Sequence, residues 1–155
     1  MISLIVHAVL GVVTTVLMVR WNARLFRGWP GGGVTLLEAA LVATGVGSVA
    51  LGWYFNIRYV QEWGRTASWV HFTQSLFENW AARSAAQDYI LANVVLLPLW
   101  SIPDGRRRGI ARPWIFFVMS LFTSFAFAMA AYLLAVERQV HLDDAHPAPS
   151  GSPTA

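Results

Sequence analysis

Few side chains in this sequence could do chemistry, and they stand out because apolar residues surround them. Asp88 is a carboxylate inside an apolar stretch, where an unpaired charge is costly. A carboxyl in such a place can act as general acid or base, so Asp88 is the candidate catalytic residue. His7, Asn56, Arg58 and Asn79 are further polar groups in or beside apolar segments; with Asp88 they form the candidate ligand-binding set. Asp88 is expected to pair with Arg58, Arg83 or His7. Such a pairing would be either a clasp locking helices together or the wall of a polar pocket for a lipid-like, quinone-like or isoprenoid ligand. Glu38 lies one turn inside another apolar segment and is expected to pair with arginines of the neighbouring loops.

Other chemistries lack their residues. The histidines are His7, His71, His141 and His146, and none has the helical spacing of a haem or di-metal site, so no metal is expected. The absence of cysteine excludes disulfides, thiolate metal sites and thiol catalysis. No phosphate-binding loop, dinucleotide fingerprint or nucleophile elbow occurs, and the Gly31 triplet reads as a turn. No cofactor is expected. Arg106, Arg107, Arg108 and Arg112 form a basic cluster suited to anionic lipid headgroups and to fixing orientation in a bilayer.

The elements that must position these residues follow from hydropathy. The chain has 155 residues, 56% hydrophobic and 12% charged, about half the charge of a soluble domain. Mean hydropathy is +0.50. Lipid is the expected solvent. The net charge of +3 comes from basic residues flanking apolar segments, so it speaks for topology rather than nucleic acid. Eight Trp, nine Phe and four Tyr suit membrane-interface belts.

Four spans are expected, at about 2–19, 34–54, 81–102 and 113–136, within a single domain over 1–140. The first lacks a preceding basic region and a following small-residue cleavage site, and reads as a retained helix. Residues 66–80, with Trp69, Phe72, Leu76 and Trp80 on one side, read as an amphipathic interfacial helix capped by Ser68 or Thr66; a re-entrant hairpin is the alternative there. Pro98 should kink the third span, and Pro103-Asp-Gly105 reads as a tight turn. Thr44, Ser48 and Gly52, and again Ser120, Ser124 and Ala128, form small-residue stripes suited to helix packing. Residues 141–155 read as a disordered tail.

Arg20, Arg24 and Arg27 follow the first span, and the four-arginine cluster follows the third. Placing both loops in the cytoplasm puts both termini outside. His7 and Asp88 then share a depth of about 9 Å below the outer surface, at 1.5 Å per residue, under the Trp-rich helix as a lid.

The motifs Gly52-Trp-Tyr-Phe-Asn-Ile-Arg-Tyr59, Phe77-Glu-Asn-Trp-Ala-Ala82, Asp88, Gly105-Arg-Arg-Arg-Gly-Ile110, Trp114, Ser124-Phe-Ala-Phe127 and Glu137-Arg138 occur in one order. Over residues 52–138 they resemble the bacterial membrane family called domain of unknown function 2834. The loop here begins Pro-Asp-Gly where that family has Glu-Gly, and the last span lacks the family's proline. The resemblance implies a small helical membrane protein, draws attention to Asn56, Asn79, Asp88 and Arg106 to Arg108, and assigns them no role.

The expected fold is therefore an all-α, four-span bundle with one interfacial helix, in a bacterial inner membrane. The expected partners are membrane lipids and either a membrane protein or further copies of the chain, with no nucleic acid. Two functions stay open. One is an accessory or structural membrane component. The other is a lipid- or isoprenoid-binding protein or small terpene-cyclase-like enzyme using Asp88. A site of the second kind needs a pocket reaching Asp88.

Overall fold

The computed structural model of the chain describes residues 2–27 and 33–145, and the regular structure in them is helical. Helix α1 is Ile2–Trp21 and the short α2 is Ala23–Phe26. Helix α3 is Leu36–Trp63, α4 is Trp69–Ser75 and α5 is Trp80–Ile90. Helix α6 is Leu97–Arg107, α7 is Trp114–Ser120 and α8 is Phe125–Ala145.

Among the described residues two stretches are long and apolar enough to cross a membrane: Leu36–Thr66, with mean hydropathy 1.5, and Trp80–Arg107, with 1.3. Helix α3 begins at a capping box, in which Thr35 accepts from the Glu38 amide and Glu38 accepts from the Thr35 amide. It ends at Gly64, whose φ of 51° stops the helix. Its 28 residues make a rod of about 42 Å.

The second stretch joins α5 to α6 through a π-helical segment, Leu91–Leu96. Proline lacks an amide hydrogen and crowds the carbonyl four residues back. The wider π turn, in which the Leu97 amide reaches the Ala92 carbonyl, admits Pro98 at the start of α6 without breaking the rod. Pro103-Asp-Gly105 is not the tight turn expected; it lies inside α6, and the chain turns later, at Arg108 and Gly109, where φ is +70°. The interfacial helix expected over 66–80 is also shorter. Ser68 caps α4 by accepting from the His71 amide, but the helix ends at Ser75. Asn79 then caps α5, accepting from the Ala82 amide.

The largest correction concerns the last span. Residues 113–136 do not form one helix. Helix α7 stops at Ser120, the chain reverses over residues 121–124, and α8 starts at Phe125. Side chains supplement the backbone bonds there. Thr123 donates to the Met119 carbonyl, Ser120 to the Phe117 carbonyl, and Ser124 accepts from the Phe127 amide. The two helices run antiparallel, with Phe116 and Tyr132 ring to ring at 5.2 Å. The hairpin opens beside Trp21, where Trp114 packs at 5.6 Å. Its tip meets mid-α1, where a Cβ on Gly11 would stand 2.9 Å from the Phe122 carbonyl oxygen. Helix α8 then returns along α3, from a Ser48–Ser124 contact of 3.1 Å to an Arg138–Glu38 contact of 3.2 Å.

The core lies inside this hairpin and along its seams with α1 and α6. Leu97, Ile115, Phe116, Met119, Ala128, Tyr132 and Ala135 are buried there, with Met18 and Leu25. The small-residue stripes serve it only in part. Ser48 meets Ser124, and Ser120 and Ala128 are buried, whereas Thr44 is exposed and a Cβ on Gly52 would meet nothing within 4 Å. The tail expected from residue 141 begins inside α8, and 146–155 lie outside the described residues, as do 30–32 of the glycine turn and His146.

A Cβ on Gly105 would approach Pro113 Cβ to 2.6 Å, whereas one on Gly47 meets nothing within 4 Å. Gly105→Ala should therefore destabilise the fold by about 1–3 kcal/mol. Gly47→Ala should be neutral or gain up to about 1 kcal/mol from helix propensity. Thermal unfolding in detergent checks the pair, and equal effects would contradict the close α6–Pro113 approach.

Candidate functional site

The polar side chains gather at the end of the bundle where α1, α3 and the hairpin share their termini. Asn22 is 1% exposed. It donates to the Ala111 carbonyl at 3.1 Å and accepts from the Ala111 amide at 2.8 Å, fastening the α1–α2 bend to the α6–α7 turn. Glu38 is 1% exposed and Arg138 6%. They form an ion pair at 3.2 Å, and Arg138 also donates to the Leu25 carbonyl at 3.1 Å and covers the Phe26 ring. Arg24 donates to the Gln139 side chain at 2.7 Å and to the Gly109 carbonyl at 2.8 Å. Arg112, with φ at 50°, stacks over Trp21 at 4.3 Å. Five segments converge on this polar layer.

The arginine cluster flanks it. Arg106, Arg107, Arg108 and Arg112 are all exposed. Arg108 pairs with Asp104 at 2.9 Å, and that bond holds its guanidinium above the ordinary arginine value. Asp104 also accepts from Tyr132 at 2.6 Å, which ties α6 to α8.

The residues expected to form a site near the opposite end are only partly brought together. His7 is half-buried and stacks on Trp69 at 4.5 Å, with Phe122 edge-on at 5.9 Å. Helix α4 is thus seated on α1 through its tryptophan. Its other anchor is His71, which shares a 2.6 Å hydrogen bond with Tyr59 of α3 and packs on Trp63 at 4.3 Å. Asn56 is half-buried on α3, and Arg58 is exposed beside it. Asn79 is exposed and occupied as the cap of α5.

Asp88 does not join this group. It is exposed on α5, and Gln87 donates to its carboxylate. The expected ion pairs with Arg58 or Arg83 are not formed; Arg83 instead donates to the Phe77 carbonyl and covers Trp80. The cavities beside α6 and between α1, α3 and α8 are lined almost wholly by apolar side chains, a further one on α4 adds Thr73 and Gln74, and Asp88 lines none of these. Among the described residues no group of three or more His, Cys, Asp or Glu could hold a metal. Asn93 Oδ1 and Ser101 Oγ, along the rod through the π turn, are buried without a hydrogen-bond partner among the described residues.

Sequence reasoning missed Asn22, Arg138 and Gln139. The sequence places Glu38 near the start of a span and pairs it with loop arginines; it does start α3, through a Thr35-x-x-Glu38 capping box, but its partner is Arg138 of α8. Nothing in the spacing links Glu38 to Arg138, because a fold-level reversal brings them together.

Among the described residues, fold and site together define a small all-α protein with two helices long and apolar enough to cross a membrane and an interlocked polar layer at one end. Residues 39–138 match the family described as protein of unknown function DUF2834, and the chain belongs to that family. The match begins earlier than the motifs suggested, taking in most of α3. Comparison with curated proteins and with solved structures gave no match.

Breaking a buried ion pair by truncating one partner costs about 3–5 kcal/mol. Glu38→Ala and Arg138→Ala should each approach that loss, and the double variant should lose less than their sum. Asp88→Asn should change stability by less than about 0.5 kcal/mol, as surface substitutions do. Thermal unfolding of the four proteins decides it: a large loss at Asp88 with none at Glu38 would contradict the geometry.

Proposed function

We propose that this protein is a non-enzymatic structural or accessory component of a bacterial inner membrane. The observation that carries this reading is the use made of its polar side chains. The buried ones at the arginine-rich end bond to one another or to backbone, as the locks of a bundle do. The one carboxylate marked out for chemistry, Asp88, is exposed and lines none of the cavities described above. Three further features favour a lipid environment. Leu36, Leu99 and Trp100 expose 88%, 67% and 61% of their surface. The two long helices bury only 11% and 22% of their apolar windows, unlike core helices of a soluble protein. The arginine loops also lie at a single end of the bundle.

In this reading α1, α3 and the α5–α6 rod cross the membrane, and α7–α8 is a re-entrant hairpin entering and leaving on the arginine-rich side. That side is cytoplasmic by its basic residues. The N-terminus is then outside and the end of α8 inside. This replaces the four-crossing arrangement, since α8 carries Arg138 back beside Glu38 and Leu25. Helix α4 lies at the outer interface.

The enzymatic alternative is tested directly. Purified protein in nanodiscs of bacterial lipid extract should leave the lipid composition, followed by mass spectrometry, unchanged over hours. Time-dependent conversion of a lipid that Asp88→Asn abolishes would overturn the proposal and restore Asp88 as an acid or base.

A further inference from the structure

The α5–α6 rod carries a charge on the side turned away from the bundle. Ala86 is buried, and Asp88, about 200° round the helix from it, is exposed. At 1.5 Å per residue Asp88 stands about 27 Å above Arg106, within a hydrocarbon core of about 30 Å. An ionised carboxylate at that depth is costly unless a partner meets it. The bond from Gln87, its own neighbour, leaves the charge standing. Below Asp88 lies a groove of about 510 Å³, lined by Ala92, Leu96 and Trp100 of the rod and by Phe125 and Met129 of α8. From Asp88 to Trp100 an uninterrupted α-helix would turn this face aside by about 120°, and the extra residue held in the π turn takes back about 100°. Asp88 therefore stands over the groove, on the same face of the rod.

Helix α3 offers the opposite charge. Its inner face meets α8 through Gly45 and Ser48. The face turned the other way carries Thr44, Gly47, Leu51, Tyr54 and Arg58, spaced by three and four residues. Leu51 and Tyr54 expose 60% and 57% of their surface, and a Cβ on Gly47 would meet nothing within 4 Å. Arg58 is exposed and forms no hydrogen bond or ion pair among the described residues. Helix α8 gives both surfaces a common scale of height. A Cβ on Gly45 would stand 3.8 Å from Ala130, and one on Gly105 would stand 3.5 Å from the Tyr132 ring. Counting outward from these contacts puts Arg58 about 23 Å and Asp88 about 26 Å above Tyr132. Gly47 comes level with Trp100, and Tyr54 with Ala92, each within about 3 Å. In both cases a small residue faces a large one.

We infer that a second copy of the chain, in the same orientation, lays the outward face of its α3 into the groove between α6 and α8 and pairs its Arg58 with Asp88. The inference rests on the membrane orientation proposed above. The two surfaces differ, so the contact is heterologous and repeats from copy to copy. An acyl chain would cover the groove but bring no donor to the carboxylate. A symmetric pairing of two rods would set Asp88 against Asp88. Within one chain Asp88 stays at the surface, so its loss leaves the stability of the isolated chain unchanged.

The test is disulfide cross-linking in membranes, which the absence of native cysteine makes clean. Two full-length chains with different tags are co-expressed, one carrying Tyr54→Cys and the other Ala92→Cys, and the membranes are oxidised. The expected product is a dimer bearing both tags, with little product from either chain expressed alone. Asp88→Arg in the Ala92→Cys chain should lower the yield about tenfold, because like charges then face each other. Adding Arg58→Asp to the Tyr54→Cys chain should restore it. Absence of the mixed dimer, or a yield indifferent to these charges, overturns the inference. So does equal cross-linking of the Tyr54→Cys chain with itself, which would make the contact symmetric. Should Asp88→Arg fail to enter the membrane, Asp88→Asn takes its place, with a loss of about threefold expected and an unchanged yield contradicting the pair. Failure of the membrane reading itself would show separately, as a chain recovered in the soluble fraction of the same cells.

Discussion

The ion pair between Glu38 and Arg138 is the contact on which the arrangement turns. Two opposite charges, each nearly sealed from solvent, attract strongly, but each was costly to desolvate. Such a pair holds only where its remaining hydrogen-bonding capacity is also met. Here it is. Glu38 takes the Thr35 amide as well as the guanidinium, and Arg138 takes the Leu25 carbonyl as well as the carboxylate. The same few atoms therefore start α3, fix the end of α8 and fasten the α1–α2 bend. Asn22 and Arg24 extend the lock to the α6–α7 turn.

From that lock the hairpin follows. Helix α8 runs beside α3 from Ser48 to Glu38, so α7 must bring the chain to mid-bundle and turn it there. Irregular backbone at such a depth is tolerable only when buried in protein with its polar groups satisfied. Thr123 and Ser124 bond the exposed ends of α7 and α8, and Gly11 gives the turn room against α1. Because the hairpin tip holds α1 and α3 through different contacts, the two helices stand apart above it. The groove between them is a consequence of the reversal.

Much of this was legible in the sequence. Apolar runs located α1, α3 and the α5–α6 rod to within a few residues at most ends, and of the two caps offered for the interfacial helix, Ser68 and Thr66, Ser68 is the one used. The order of short motifs pointed to the family. The hairpin was not legible, because hydropathy averages composition. Residues 113–136 have the length and apolarity of one span, and two antiparallel helices in lipid have the same composition. The break lies among Ser120, Thr123 and Ser124, whose hydroxyls bond the turn's backbone; a stripe of small residues on one continuous helix looks identical. Pro103 misled in the opposite direction, since α6 absorbs it. Asp88 drew attention as an isolated carboxylate in an apolar context, yet which face of α5 it occupies depends on packing that the sequence does not state. Its exposure left the structural role to Glu38.

The most direct measurement of the account is the sidedness of the end of α8. The chain has no cysteine, so single cysteines at Asp144, Arg107 and Thr73 can be labelled without background by an impermeant maleimide in spheroplasts and in inverted vesicles. The hairpin requires Asp144→Cys and Arg107→Cys to react from the cytoplasmic side and Thr73→Cys from the opposite side. Labelling of Asp144→Cys from the same side as Thr73→Cys would mean that the last segment crosses the membrane, and would contradict the Glu38–Arg138 lock.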